Sequence, residues 1–357
     1  MKILFLVNEL LNVCGVSKHF YHLLSGLKEY NPKNEYFVIC GGGDAIEKFK
    51  SLDVPIFVNE NIKHETRSVN GYLKGMYDIY KFVRVNKIDI IHSHHHYVAN
   101  MASKVSIFSN TNTVMTNHGL LPEIGRLNHF AAKYIITVNE CILNYILKNK
   151  IKDKKHVFRI NLGLPEGKLE KVRKDRLKVI TGGRFVVEKG FDDYIRAVAK
   201  LNAKLKNRAE FFIAGEGPEE KNLLKLNEKL NSPVNFLGVI EDFKKKLADT
   251  DIFVMPSKSK SEGFPTVLIE AGITKNLIIV SDFFGLRNYF NERYGLIYEQ
   301  NNLSSLIDLL NESITHFELH ENKILNFYEF TKREFDFEEM VRKTYNLYLS
   351  ILKADNN

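Results

Sequence analysis

Residues 251–273 read DIFVMPSKSKSEGFPTVLIEAGI, which is a short apolar run, a polar loop and a second apolar stretch long enough for a helix. The run from Ile252 to Met255 predicts a buried strand. Pro265 suits the first turn of a helix, whose free amides would face out at the positive end of the helix dipole. Those amides belong to Thr266, Val267 and Leu268. Since such a helix end binds phosphate, the sequence predicts an anion site flanked by Glu262 and Glu270.

The same alternation of short apolar runs and helix-length amphipathic stretches fills the rest of the 357 residues and occurs twice. In the first half, strands are predicted near residues 2–7, 36–40, 54–58, 88–92, 113–117 and 134–138. In the second half they are predicted near residues 156–160, 178–182, 210–214, 234–237, 251–255, 277–280 and 295–298. The pattern predicts an α/β fold with two Rossmann-like, doubly wound domains that face a central cleft.

The boundary between the two domains is predicted near residues 165–177, where glycine, proline and charged residues are concentrated. The N-terminal domain would span residues 1–165 and the C-terminal domain residues 166–335. Residues 336–357 are predicted to form a closing amphipathic helix that returns to the N-terminal domain. Its apolar residues at helical spacing are Phe337, Val341, Tyr345, Tyr348 and Leu352.

The composition is that of an ordinary globular protein, with 44% hydrophobic and 26% charged residues. The net charge of +8 favours an anionic partner, either a nucleotide diphosphate, a phospholipid surface or a nucleic acid. Nucleic acid is not expected, because the basic residues are dispersed and no known binding module is present. The first apolar run is too short for a signal peptide, so a cytoplasmic location is expected. The three cysteines, Cys14, Cys40 and Cys141, lack the paired spacing that is typical of a zinc site or a disulfide framework.

The spacing of Glu262 and Glu270, with Gly263, Phe264 and Pro265 between them, resembles the signature of the family-4 retaining glycosyltransferases, which have the GT-B fold. In that family the first glutamate contacts hydroxyls of the donor sugar and the second holds the nucleotide ribose. The resemblance implies these roles for Glu262 and Glu270. It also implies that the start of the helix binds the donor, through Gly263, Phe264, Pro265, Thr266 and Val267.

Three further stretches of the second half resemble the same family. Residues 179–194 are similar to its strand, Gly-Arg loop and Lys-Gly helix entry, which implies that Arg184 and Lys189 clamp the diphosphate. Two fixed cations would stabilise the charge that develops on a departing diphosphate without a metal. The turns within 211–218 and 234–240 resemble those that line the nucleotide cleft and contact the base. The donor-binding residues carried over from them are Gly215, Gly217, Val239 and Ile240.

The first half contributes three candidate sites. The loop at Gly15 resembles the family's glycine loop, which implies that its amide reaches the phosphates or the acceptor, although the family usually has Gly-Gly where this chain has Cys14-Gly15. His118 resembles the family's histidine that faces the donor sugar, and the alternative is a core or rim histidine bonded to a backbone carbonyl. His94 and His95 are candidates to line the acceptor pocket.

Two patterns could indicate a metal site, and neither is expected to hold a metal. The cluster His92-Ser-His94-His95-His96 offers imidazoles, but no cysteine or carboxylate nearby in the sequence completes a ligand set. Asp249 and Asp251 match an Asp-x-Asp pattern, but they lie between a helix and a buried strand, where capping or turn duty is expected. No cofactor and no essential metal are therefore expected, and the nucleotide-sugar that the resemblance implies would be a substrate.

A stretch near residues 72–87 carries an apolar stripe flanked by basic residues. Such a helix could lie on an anionic membrane. The favoured interpretation is a crossover helix whose stripe is buried against the sheet. The stripe consists of Tyr72, Met76, Ile79, Tyr80 and Val83, and the flanking residues are Lys74, Lys81, Arg84 and Lys87.

The resemblance spans essentially the whole chain and implies a retaining, metal-independent glycosyltransferase of the hexosyltransferase class. The N-terminal domain would be the acceptor side and the C-terminal domain the donor side. A UDP-sugar donor, carrying a hexose or N-acetylhexosamine, and a saccharide or lipid-linked acceptor are expected. The Lys-, Asn- and Ile-rich composition is associated with bacterial surface polysaccharide or lipopolysaccharide synthesis at the inner face of the cytoplasmic membrane. Two alternatives remain, a sugar epimerase or phosphorylase on the same architecture and a non-catalytic nucleotide-sugar-binding partner of another transferase.

Overall fold

The structure is a computed structural model that describes residues 1–12, 14–119, 130–167, 171, 176–259, 265–283 and 285–354. It divides the chain into two compact units. Unit 1 comprises Met1–Pro165 together with Asp336–Asn357, and unit 2 comprises Glu166–Phe335. The chain therefore leaves the first unit once and returns to it near its end.

Unit 1 is built on a parallel sheet that has seven strands among its described residues, in the order β3-β2-β1-β4-β5-β6-β7. The strands are β1 (Lys2–Val7), β2 (Glu35–Cys40), β3 (Ile56–Val58), β4 (Ile90–Ser93), β5 (Asn112–Asn117), β6 (Tyr134–Thr137) and β7 (Val157–Arg159). The helices between them are α1 (Gly15–Tyr30), α2 (Ile46–Lys50), α3 (Val69–Asn86), α4 (His96–Ser109) and α5 (Glu140–Lys148).

Unit 2 carries a second parallel sheet, with six strands in its described part, in the order β10-β9-β8-β11-β12-β13. These strands are β8 (Leu177–Gly182), β9 (Ala209–Ala214), β10 (Val234–Phe236), β11 (Ile252–Met255), β12 (Leu277–Ser281) and β13 (Leu296–Tyr298). Its helices are α6 (Phe191–Lys200), α7 (Ala203–Arg208), α8 (Glu220–Lys229), α9 (Phe243–Ala248), α10 (Thr266–Ile273), α11 (Leu303–Thr315) and α12 (Glu321–Glu334).

Each sheet is covered by helices on both faces, because successive side chains of a strand point to opposite sides. In β1, Ile3 and Phe5 belong to the core that contains α1, whereas Leu4 and Leu6 belong to the core that contains α3 and α4. The strand order reverses beside β1 in unit 1 and beside β8 in unit 2. In doubly wound sheets, ligands bind at the carboxyl ends of the strands beside such a reversal. We therefore expect ligand-binding sites at these two sheet edges.

The last helix, α13 (Phe337–Ala354), packs on α1 in unit 1. The two helices are so close at Gly26 that a Cβ atom there would lie 2.4 Å from Cγ2 of Val341. A larger residue at position 26 would therefore push side chains of α13 away from α1. The buried face of α13 consists of Met340, Val341, Thr344, Leu347, Tyr348 and Ile351.

The predicted α/β fold with two doubly wound domains is confirmed. The strand predicted near 156–160 was assigned to the second half, and that assignment is wrong. This strand is β7, and it pairs in parallel with β6 at the edge of the unit 1 sheet, with Val157 beside Ile135. The chain crosses to unit 2 only after this strand, at Pro165.

The helix predicted near residues 72–87 is α3, and its apolar stripe faces the core as the favoured interpretation has it. Ile79 and Val83 are buried, and Tyr72, Met76 and Tyr80 pack against the same core. In the described part of the chain, no helix is long and apolar enough to cross a membrane.

Candidate functional site

Glycine-containing loops meet at the carboxyl edge of the unit 2 sheet, after β8, β9 and β10. The amide of Gly215 donates to the carbonyl of Gly238 at 2.7 Å, and the amide of Phe185 donates to that of Glu216 at 2.7 Å. Gly215 has a φ of +132°, and a Cβ there would lie 2.0 Å from the carbonyl oxygen of Gly183. Only glycine fits this position. The two hydrogen bonds and this close approach join the three loops into one backbone surface.

The two predicted phosphate-clamping cations lie in the loop after β8. Arg184 is solvent-exposed, and Lys189 is half-buried at the end of a short 3₁₀ helix. The next residue, Gly190, is left-handed with a φ of +67°, and a Cβ there would lie 1.9 Å from the carbonyl oxygen of Pro256. The amide of Lys258 also donates to the carbonyl of Glu188 at 2.7 Å. The loops after β8 and β11 therefore hold the two cations on a fixed backbone.

The sequence analysis did not single out Lys258, the first cation after β11. Its Nζ lies 2.9 Å from Asp192 and 3.0 Å from Asp193, in the first turn of α6. Burial disfavours the charged lysine, but these hydrogen bonds outweigh it, and the pKa of Lys258 is raised. Lys258 thus fastens the loop after β11 to α6. The position of Lys258 in the loop that follows a buried strand was the sequence signal that could have identified this residue.

The helix predicted to bind an anion is α10, with Pro265 as its N-cap. Thr266 and Val267 are half-buried at its start, and Glu270 lies inside the helix with 2% of its surface exposed. The amide of Leu268 donates to the carbonyl of Pro265 at 3.0 Å, so the prediction that it faces out for a ligand is wrong. Three predicted site residues lie outside the described residues, namely Glu262, Gly263 and Phe264.

The remaining donor-site candidates of unit 2 lie at the same edge. Gly217 has a φ of +155°, and a Cβ there would lie 2.5 Å from the carbonyl oxygen of Phe185. Val239 is exposed and Ile240 half-buried in the loop after β10. The structure therefore brings Gly215, Gly217, Val239 and Ile240 to one edge together with Arg184 and Lys189.

Asp249 and Asp251 lie at the opposite, amino end of β11. Asp251 accepts the backbone amide of Lys178 at 2.9 Å, and Asp249 forms an ion pair with the side chain of Lys178 at 2.5 Å. Both carboxylates therefore join the starts of β8 and β11, which agrees with the expected capping and turn duty.

In unit 1, the loop after β1 leads to Gly15, which is exposed as the first residue of α1. The hydroxyl of Ser17 accepts the amide of Leu11 at 2.9 Å and braces this loop. A glycine that the sequence analysis did not identify also supports it. Gly43 has a φ of +128°, and a Cβ there would lie 2.0 Å from the carbonyl oxygen of Leu10. The glycine run of residues 41–43, directly after β2, was the available signal.

Four histidines cluster at the carboxyl edge of the unit 1 sheet, where α1, β4 and β5 bring them together. The ring centroids of His92 and His94 are 4.6 Å apart, those of His94 and His118 are 5.6 Å apart, and those of His19 and His118 are 4.9 Å apart. Burial lowers the pKa of His92 and that of His118 to about 3, and it lowers the pKa of His19 and His94 well below the usual value. The cluster is therefore neutral at physiological pH.

The two predicted acceptor histidines differ in accessibility. His94 is 2% exposed, so it offers a ligand almost no surface. His95 is half-buried and caps α4, where its Nδ1 accepts the amide of Tyr97 at 3.3 Å. Burial, with His96 and His64 beside it, lowers the pKa of His95 to about 3. Of this pair, only His95 retains surface that could line an acceptor pocket.

One set of side chains in the described chain could hold a metal ion. His19, His94 and His118 each offer a ring nitrogen, and these atoms lie within 4.8 Å of one another. Three neutral imidazoles with an open fourth position are a known zinc arrangement. The sequence analysis did not form this set, because His19 lies in α1 and reaches the other two only through the fold.

Two family models match this chain. The model of Glycosyltransferase Family 4 matches residues 13–160, and that of Glycosyl transferases group 1 matches residues 168–329. The GPI3 subunit of phosphatidylinositol N-acetylglucosaminyltransferase from Saccharomyces cerevisiae is 23% identical, over 94% of this chain and 80% of the relative. The O-antigen biosynthesis glycosyltransferase WclY from Escherichia coli is 26% identical, over 46% of this chain and 44% of the relative.

Among solved structures, Anabaena Alr3699/HepE in complex with UDP-glucose superposes with a TM-score of 0.81 at 17% identity, covering 98% of this chain and 100% of that one. At this identity the likeness concerns the fold. The family models match both halves of the chain, and each half carries the doubly wound sheet described above. The chain belongs to glycosyltransferase family 4 and has the GT-B fold.

Proposed function

We propose that this chain transfers a hexose or N-acetylhexosamine from a UDP-sugar to a saccharide or lipid-linked saccharide acceptor in bacterial surface glycan synthesis. The observation that carries the proposal is the bonded loop surface of unit 2, which presents Arg184 and Lys189 in a family-4 chain. The UDP donor is supported by the fold likeness to a protein solved with UDP-glucose and by the N-acetylglucosaminyltransferase relative. The O-antigen relative supports the surface-glycan role.

The proposed chemistry centres on the departure of the nucleotide diphosphate. Arg184 and Lys189 would offset the negative charge that develops on its oxygens, and their fixed backbone lowers the cost of arranging them. The amino end of α10, with Thr266 and Val267, would add a dipole of the right sign. Because these groups supply positive charge, no metal is assigned a role in the step.

The remaining residues would hold the nucleotide and orient the sugar. Glu270 is proposed to bind the ribose, and the loop at Val239 and Ile240 the base. Glu262 and His118 are proposed to orient the donor sugar. The acceptor hydroxyl would attack from the face on which the diphosphate departs, and a leaving phosphate oxygen would take its proton. The new glycosidic bond would then keep the anomeric configuration of the donor.

The experiment that tests this function measures nucleotide release from UDP-, GDP-, ADP- and dTDP-sugars, with and without EDTA. Slow, EDTA-resistant release from a UDP-sugar is expected, and it should be lost in Lys189→Ala and Glu262→Ala. Lys200→Ala, at an exposed lysine of α6 in the same unit, is the matched control. Binding without release, even with saccharide and lipid acceptors present, would contradict an enzymatic role. Loss of release with EDTA would contradict metal independence and direct attention to His19, His94 and His118.

Retention is tested separately, on the product. The anomeric configuration of the new linkage, read by proton nuclear magnetic resonance, should match that of the donor sugar. An inverted product would contradict the proposed attack from the face on which the diphosphate departs.

We also propose that unit 1 touches an anionic membrane through α3, at the inner face of the cytoplasmic membrane. Val69, Leu73 and Tyr77 recur every four residues, and so they share one helix face, and all three are exposed. This face is separate from the buried stripe that the sequence analysis identified. The exposed basic residues on the same helix are Lys74, Lys81 and Arg84. Apolar and basic side chains on one exposed face suit an anionic lipid surface.

A further inference from the structure

His94 and His118 follow neighbouring strands of unit 1 and touch through their ring nitrogens. Nδ1 of His94 lies 3.3 Å from Nε2 of His118, within hydrogen-bonding distance. The two side chains leave the same edge of the sheet, because β4 and β5 pair in parallel. A neutral imidazole has one N–H and one bare nitrogen, so one of the two facing nitrogens carries a proton and the other accepts it.

The His94 ring is held in place from behind by His92, whose ring stacks on it at 4.6 Å. Both nitrogens of His92 are hydrogen-bonded, Nδ1 to the hydroxyl of Tyr348 at 2.6 Å and Nε2 to that of Thr116 at 2.8 Å. The ring of Phe20 packs against His94 from α1, with the centroids 4.8 Å apart. These contacts leave the His94 ring little room to turn, so its Nδ1 stays directed at His118.

The second nitrogen of His94 decides which of the two histidines is the donor. Nε2 of His94 is buried and has no hydrogen-bond partner among the described residues. If His118 donated, His94 would have to carry its own proton on Nε2, as a buried N–H without an acceptor. If His94 donates from Nδ1, its Nε2 carries only a lone pair. Buried N–H groups without partners are rarer than bare acceptors, so the second arrangement is favoured.

We propose that His94 is a positioning residue that donates its Nδ1–H to Nε2 of His118 and so holds the proton of His118 on Nδ1. The inference rests on the proposed function, in which His118 contacts the donor sugar. In this form His118 offers the sugar an N–H donor, which selects for a hydroxyl oxygen as its acceptor. His118 is the half-buried member of the pair, whereas His94 is enclosed, so a ligand can reach His118 and not His94.

The direct test is long-range proton–nitrogen correlation spectroscopy of the full chain, labelled with 15N-histidine and dialysed against EDTA. His118→Gln and His94→Asn identify the two sets of signals. We expect both histidines to show a protonated Nδ1 and a bare Nε2 at neutral pH. A protonated Nε2 on His118 would overturn the proposal, whatever the activity of the protein.

Two substitutions of His94 then link the proton position to catalysis. His94→Asp leaves only an acceptor, so His118 should move its proton to Nε2, and kcat should fall about 10²-fold with little change in KM for the donor. His94→Asn keeps an N–H near the same point and should retain at least about tenfold more activity than His94→Asp. His316→Asp, at an exposed histidine of unit 2, controls for the added charge.

The spectroscopic and kinetic measurements test the role of His94 and the proposed function separately. If no donor turns over in the wild-type chain, the proposed function fails, and the proton position of His118 is still read from the spectrum. If the chain is active and His94→Asp moves the proton without lowering kcat, the positioning role of His94 is wrong. Equal losses in His94→Asp and His94→Asn would also contradict it, because a role in packing alone does not distinguish a donor from an acceptor.

Discussion

Arg184 offers the proposed diphosphate a planar fork of N–H donors, which a lysine cannot reproduce. We expect Arg184→Ala to lower kcat about 10²- to 10³-fold, as the loss of one transition-state donor does elsewhere. Arg184→Lys keeps the charge but not the fork, so its loss should be smaller, about tenfold. Initial rates at saturating UDP-sugar measure both. Arg208→Ala, at an exposed arginine of α7, should leave the rate unchanged, and equal rates for Arg184→Ala and wild type would contradict the clamp.

His92 is expected to make stability depend on pH. Burial lowers its pKa to about 3 in the folded chain, whereas the pKa of a histidine in an unfolded chain is about 6.5. Below the unfolded pKa the unfolded chain binds a proton that the folded chain does not, so the free energy of unfolding falls as the pH falls through this range. Each such histidine contributes about 1.4 kcal/mol per pH unit.

The measurement is denaturant unfolding of wild type and His92→Gln at several pH values between about 7 and 5. The variant is less stable throughout, but its stability should fall less steeply, by the share of one histidine. Val114→Ala, which removes buried apolar atoms but no titrating group, should lower the stability and keep the wild-type slope. If His92→Gln showed the wild-type slope as well, His92 would not be the group that takes up the proton.

Site residues could be predicted where the signal is local in the chain. Gly215 directly follows a predicted strand, and a glycine at such a place indicates that the backbone comes close to other atoms. Arg184 could be placed in the same way, because it follows the strand predicted near 178–182. The convergence of His19 on His94 and His118 was not visible, because it depends on the order of strands in the sheet and on where α1 packs. The ion pairs of Lys258 were missed for a similar reason, since its acidic partners lie in α6, which is distant in the sequence.

At the level of elements, the strands were predicted because parallel strands buried on both faces are nearly continuous apolar runs. The run near 156–160 has this pattern as well, but the pattern does not say which sheet the strand joins. β7 joins the first sheet through its hydrogen bonds to β6. The start of α10 shows a comparable limit to prediction. The sequence indicates where the helix begins, but not that the amide of Leu268 is already bonded to the carbonyl of Pro265 within the first turn.

The exposed face of α3 should govern membrane binding. Leu73 is 58% exposed and Tyr77 is 64% exposed, so both can be replaced by Glu without disturbing the core. The double variant Leu73→Glu/Tyr77→Glu removes apolar contact and adds repulsion from anionic lipid, which should weaken vesicle binding at least about tenfold, or about 1.4 kcal/mol. Co-sedimentation with vesicles of phosphatidylcholine and phosphatidylglycerol measures the partition.

The matched control is Leu224→Glu, at a leucine of α8 that is 44% exposed in unit 2. It should bind vesicles as the wild type does. Vesicles of phosphatidylcholine alone should bind the wild type weakly, because Lys74, Lys81 and Arg84 then lack an anionic surface. Unchanged binding of the α3 double variant would contradict contact through this face.

At the scale of the whole molecule, the sequence predicted two domains because the strand–helix pattern occurs twice and is interrupted by a polar, glycine-containing stretch. The predicted first domain ends at residue 165, and unit 1 ends its first segment at Pro165. The final helix was predicted from its apolar spacing, but that spacing does not name the surface it covers. The structure supplies this information, since α13 packs on α1 and its Tyr348 is hydrogen-bonded to His92, a member of the histidine cluster.

The stability of unit 1 should therefore depend on α13, which follows unit 2 in the sequence. Deleting residues 337–357 uncovers the α1 side of the sheet and removes buried side chains worth about 1.5–3 kcal/mol each, which are Met340, Val341, Leu347, Tyr348 and Ile351. Their sum approaches the whole stability of a domain, about 5–15 kcal/mol. We expect limited proteolysis with mass spectrometry to show cleavage within residues 1–165 and protection of 166–335. A shorter deletion, of residues 353–357, keeps every buried residue of α13 and should leave both units protected. If the longer deletion also left residues 1–165 protected, the packing of α13 would not be what stabilises unit 1.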